Sequence, residues 1–64
     1  MTKISLAEAD KAWNNKEDIT VKDIDDGYTF KINKESFIDC DEAYNKTLSE
    51  ELEEQNVTEY ELYK

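Results

Sequence analysis

The residues that could do chemistry in this chain are its carboxylates. Glu50, Glu51, Glu53 and Glu54 crowd one short stretch, Asp39, Asp41 and Glu42 precede them, and Glu59 and Glu61 alternate behind them. Acids three or four positions apart on a helix stand about 5–6 Å from one another, and acids two apart on a strand share a face at about 6.7 Å. Such rows can bind a metal ion, trade protons, or present a negative surface to a cation. The first two uses need residues that are scarce here. Histidine is absent, which removes Ser-His and Cys-His pairs, and Cys40 alone cannot make a thiolate zinc site. A single glycine, Gly27, cannot build a phosphate-cradling loop. Asp23-Ile24-Asp25-Asp26-Gly27 resembles a fragment of a calcium loop, yet the spacing fails. With Gly27 at the sixth position of the loop, Lys22 and Ile24 occupy the first two ligand places. Acid–base catalysis needs surroundings that push two carboxyl pKa values apart, and no pattern here points to them. The expectation is a protein that is not an enzyme, with no catalytic residue, metal or cofactor.

The charge balance points to the third use. Seventeen acids face eight lysines, net −9, with no arginine. Residues 1–32 carry seven acids and five lysines, residues 33–64 ten acids and three lysines, so the halves differ as −2 against −7. Such a surface repels nucleic acid and anionic membrane and attracts basic proteins. The expected partner is therefore a basic DNA-binding protein, with no direct nucleic-acid or membrane contact. Most charge runs are simply solvated helix faces. Against that, glutamates in the last turns of a helix oppose its dipole by about 0.3–1 kcal/mol each, and like charges three or four apart repel. Stability alone would put lysines there. The candidate partner-binding residues are Asp39, Asp41, Glu42, Glu50, Glu51, Glu53, Glu54, Glu59 and Glu61.

These residues need elements to hold them. Sixty-four residues make one domain, 1–64, and a chain this short hides only about 60% of its unfolded surface. Without a disulfide, either tight local packing or a homodimer must complete the core. Seven aromatic residues and clear periodicity argue for a folded chain despite the charge. Cys40 reads as a small buried apolar side chain in a reducing compartment. No charged start leads into an apolar run, so the expected location is the cytoplasm. Ser5-Leu6-Ala7-Glu8 is a capping box and predicts a helix over about 5–16, with Leu6, Ala9 and Trp13 facing inward. Ile19–Asp25 and Tyr28–Asn33 read as a hairpin turning at Asp26-Gly27, which pairs Val21 with Ile32 and Asp23 with Phe30. Ile19, Val21, Tyr28, Phe30 and Ile32 then share one face, with Ile24 as a misfit. A weaker turn at Asn33-Lys34 leads to a third strand at Glu35–Ile38. Ala43, Tyr44, Leu48 and Leu52 predict one helix from Asp41 to Gln55, ended by a left-handed Asn56. Val57–Tyr63 alternates as a last strand, with Tyr60 and Leu62 inward, placed by a right-handed crossover beside the sheet and parallel to the first strand. The fold class is α+β: an N-terminal helix, a three-stranded antiparallel meander, a second helix packed on the sheet, and a C-terminal edge strand.

The small size, the acidity and the use of lysine without arginine resemble phage-encoded proteins from AT-rich hosts. With the acidic stretch from Glu35 to Glu61, the chain resembles the acidic DNA mimics among them, which block host nucleic-acid-binding proteins, the nucleoid protein HU being one target. That resemblance implies a dimeric DNA-like surface, the host bacterial cytoplasm, and a part in host takeover. Carboxylates would stand in for the regularly spaced phosphates of DNA, with Tyr63 or Val57 adding apolar contact at the rim. Two other functions stay open. One is a phage inhibitor of RNA polymerase or a CRISPR nuclease, bound mainly through apolar contacts. The other is an accessory interaction domain with no inhibitory role.

Overall fold

Ser5 starts the first helix as its capping box requires. Its hydroxyl accepts from the Glu8 N–H at 3.2 Å, and the Glu8 carboxylate accepts from the Ser5 N–H at 3.3 Å. In this computed structural model residues 1–64 are described, with the side chains of Asp41 and Ala43 outside the described residues. The elements in chain order are β1 (Lys3–Ile4), α1 (Leu6–Asn14), β2 (Ile19–Asp23), β3 (Thr29–Ile32), a 3-10 helix (Lys34–Phe37), α2 (Asp41–Tyr44), α3 (Leu48–Glu54) and β4 (Tyr60–Tyr63). The α+β class is as expected. α1 buries Ala9, Ala12 and Trp13, whereas Leu6, expected inward, stays 41% exposed at the helix start.

The four strands lie in the order β1-β4-β2-β3, and every neighbouring pair is antiparallel. This corrects two expectations. The last strand is not an edge strand parallel to the first; it lies inside the sheet. Leu62 there pairs with Ile4 on one side and Val21 on the other, and Val21 pairs with Phe30. One apolar row thus crosses all four strands, and an edge position would leave it open.

The expected third strand, Glu35–Ile38, is a 3-10 helix that runs into a turn. Asn33 causes the change. Its side-chain oxygen accepts from the Glu35 N–H at 2.9 Å, and its amide donates to the Lys16 carbonyl at 3.1 Å and the Asp18 carboxylate at 2.8 Å. The chain is thereby capped into a helical turn instead of a second hairpin. Phe37 then packs on Trp13, ring centroids 5.9 Å apart.

The hairpin pairs Ile19 with Ile32 and Val21 with Phe30. It turns through the four residues Ile24–Gly27, closed by the Asp23 N–H to the Tyr28 carbonyl and the Gly27 N–H to the Asp23 carbonyl, both 2.7 Å. The expected two-residue turn at Asp26-Gly27 is therefore displaced. Side chains alternate with period two, so a register shifted by two leaves the faces unchanged. Gly27 has φ +70°, and Ile24 leaves the strand for the loop, half exposed.

The single helix expected over 41–55 is broken at Asn45–Lys46. A second capping box makes the break. The Thr47 hydroxyl accepts from the Glu50 N–H at 3.2 Å, and the Glu50 carboxylate accepts from the Thr47 N–H at 3.1 Å. The Trp13 indole donates to the Lys46 carbonyl at 2.9 Å and pins the segment between the two helices. Asn56 ends α3 at φ +64°, as expected. Leu48 and Leu52 of α3 meet Trp13, Ile19 and Val21 in the centre of the core, all fully buried. Cys40 is exposed, not buried. Among the described residues, no helix is long and apolar enough to cross a membrane.

Candidate partner-binding surface

Helices cover one face of the sheet, and strand alternation sends Lys3, Thr20, Lys22, Thr29, Lys31, Glu61 and Tyr63 to the other. Three of the eight lysines lie on that open face, with one acid among them. Glu61 is ion-paired there to Lys3 at 2.9 Å and accepts from the Tyr63 hydroxyl at 3.1 Å. The hydrogen bond from Lys3 holds the Glu61 carboxyl below its ordinary value, and the same contact raises Lys3. Glu61 therefore belongs to a mixed-charge face and is separated from the other candidates.

The α3 glutamates have four different surroundings. Glu50 is exposed, but its carboxylate is engaged in the cap, and the Thr47 backbone N–H lowers its pKa. Glu51 is 6% exposed. Its Oε1 accepts from the Gln55 amide at 3.1 Å, while Oε2 is buried with no partner. Glu54 is exposed and ion-paired to Lys46. Glu53 is exposed, with no hydrogen bond or ion pair among the described residues. Asp39 and Glu42 are exposed on the turn and short helix after the 3-10 helix, and the side chain of Asp41 lies outside the described residues.

Glu59, exposed at the approach to β4, is joined to a region that sequence reasoning missed. Its carbonyl accepts from the Ile24 N–H at 3.0 Å, and the next residue, Tyr60, pairs with Asp23. The hairpin loop, with Asp25 and Asp26 exposed on it, therefore sits against the start of β4. The Asp25 N–H donates to the Asp23 carboxylate at 3.0 Å, which shapes the loop. Glu53 reaches the same end of the molecule, because a hollow of about 310 Å³ is lined by Ser49, Glu53, Val57, Thr58 and Tyr60.

Asp23, Asp25, Asp26, Glu53 and Glu59 thus lie on two segments, 23–28 and 47–60, that meet at one end of the sheet, a corner whose two segments contain no lysine. The Asp-Ile-Asp-Asp run was visible in the sequence, but its proximity to β4 was not. Ile24 and Tyr28 are 50% and 65% exposed on the same loop. Val57 and Tyr63, expected as apolar contacts at the rim, are 7% exposed and on the lysine-bearing face, respectively.

Elsewhere several lysines are engaged. Lys64 pairs with Glu17 at 2.6 Å and lowers its pKa, and Lys34 stands 4.9 Å over the Tyr44 ring. No group of three metal-ligating side chains occurs among the described residues. No protein-family model matches the chain, and no curated protein or solved structure is significantly similar to it.

Proposed function

We propose that this chain is an acidic binding protein that occupies the DNA-binding surface of a basic protein of the nucleoid HU type and so blocks DNA. The observation that carries this reading is the lysine-free corner of Asp23, Asp25, Asp26, Glu53 and Glu59. Two segments distant in sequence, 23–28 and 47–60, bring their acidic residues to one end of the sheet, while Lys3, Lys22 and Lys31 lie on the open sheet face. A molecule polarised in this way turns one end toward a cationic surface during approach, and the attraction fades with salt.

The test is displacement of labelled duplex DNA from HU, followed by fluorescence anisotropy. The parent chain displaces the DNA. The triple variant Asp25→Lys, Glu53→Lys, Glu59→Lys fails to do so while keeping its far-UV CD spectrum. Equal displacement by both chains removes the corner from the mechanism. Glu50 is left intact because its loss would break a helix cap. Exposed Ile24 and Tyr28 favour a second reading, an inhibitor of a larger enzyme complex bound through apolar contacts. Affinity that stays flat between about 50 and 500 mM salt, where screening is severe, selects that reading.

A further inference from the structure

We infer that the hollow between α3 and the start of β4 is a receptor for one arginine side chain of the partner. This rests on the reading above that the partner is a basic protein, and it adds a defined subsite. The lining is Ser49, Glu53, Val57, Thr58 and Tyr60 around about 310 Å³. Val57 is buried at the floor, Tyr60 is half-buried, and Glu53 and Thr58 are exposed at the rim.

Each wall matches a part of an arginine. Val57 and the Thr58 methyl offer apolar surface for the aliphatic stem. The Tyr60 ring offers a π face to a planar cation. The Glu53 carboxylate can accept two in-plane N–H donors, which a guanidinium supplies and an ammonium does not. Glu53 has no ion-pair partner among the described residues, so it stands ready for an external one. Ser49 lies one helical turn before Glu53 on the same side of α3 and adds an acceptor.

Two further features favour a cation. α3 has no basic residue in its last turn, so the negative end of its dipole has no neutralising charge from that turn. Asp23 is the cross-strand partner of Tyr60, which adds an acidic residue on the neighbouring strand.

The experiment titrates N-acetyl-arginine amide into the ¹⁵N-labelled chain and follows amide shifts. N-acetyl-citrulline amide, equal in shape and uncharged, is the control. The expected result is saturable shifts at Glu53, Val57, Thr58 and Tyr60 with arginine and none with citrulline. Glu53→Gln weakens binding about threefold, as loss of an exposed charge pair does, and Tyr60→Leu does so to a similar extent. Shifts spread over all acidic segments without saturation overturn the inference, as do equal shifts with citrulline or unchanged affinity in Glu53→Gln. The exposed position of Glu53 keeps that variant folded even if Tyr60→Leu is not. Arginine binding combined with failure to displace DNA from HU removes the DNA-surrogate function and leaves the subsite. DNA displacement without arginine binding removes only the subsite.

Discussion

Deleting the Thr47 hydroxyl tests what separates α2 from α3. In Thr47→Ala the Glu50 N–H loses its acceptor, and the reciprocal bond from the Thr47 N–H to the Glu50 carboxylate, 3.1 Å, loses its geometric support. Replacing a Ser, Thr, Asn or Asp cap by alanine costs about 1 kcal/mol. α3 has only seven residues, too few to persist unaided, and it carries Leu48 and Leu52 into the core, so the loss is transmitted to the whole domain. Unfolding entropy near about 2.1 cal/mol/K per residue gives roughly 0.13 kcal/mol/K for this chain, and a fall in Tm of about 7 °C. Thermal melts at 222 nm measure it, with Ser5→Ala as the companion at the equivalent box of α1, where a similar fall is expected. A Thr47→Ala chain melting within about 2 °C of the parent, with a stronger helical signal, refutes the reasoning. It would mean that residues 41–54 favour one continuous helix and that the box does not hold them apart.

Gly27→Ala should lower stability in urea by about 1–2 kcal/mol, the cost of a left-handed L-residue. Nothing lies within 4 Å of the added Cβ, so Gly27→Asn should recover part of the loss, and equal losses would mean the strain is steric. Glu51→Met should raise the urea midpoint. Removing a buried, unpaired oxygen gains about 1–3 kcal/mol against about 1 for the lost Gln55 bond, and a lower midpoint would mean Oε2 is satisfied in solution. Glu50 is depressed below the usual 4.5 by its cap bonds. Its stabilisation is therefore present above that value and is lost as pH falls through the lower folded pKa. Glu50→Gln keeps the box without the titration, so its Tm should fall less steeply below about pH 4.5 than the parent's, and parallel acid limbs would contradict the assignment.

The parts of the fold legible in the sequence are those governed by local rules. Ser5 and Glu8 fixed where α1 begins, and alternation in Ile19–Asp23, Thr29–Ile32 and Tyr60–Tyr63 fixed which side chains turn inward. The loop length at Gly27 was not legible, because registers two residues apart bury the same set. β1 has two residues and exists only through its pairing with β4, so no pattern within it could announce it. The break before α3 was legible in principle, since Thr47-Leu48-Ser49-Glu50 repeats the logic of Ser5-Leu6-Ala7-Glu8. The spacing of Tyr44, Leu48 and Leu52 concealed it by continuing the helical period across the cap. Within the candidate surface, acidity was visible and allocation was not. Glu50 serves a cap, Glu51 points inward, Glu54 and Glu61 have lysine partners, and the hairpin aspartates join Glu59 only through tertiary contact.

The interior position of β4 governs how the molecule is made. On the ribosome every other element emerges first, yet β1 has no strand to lie against and β2 has only its hairpin partner until Tyr60–Tyr63 arrives. The strand that completes the sheet therefore comes last and joins sequence positions sixty residues apart, such as Lys3 and Tyr63. Loss of Tyr60–Tyr63 would not fray a margin. It would part β1 from β2 and take Leu62 out of the apolar row.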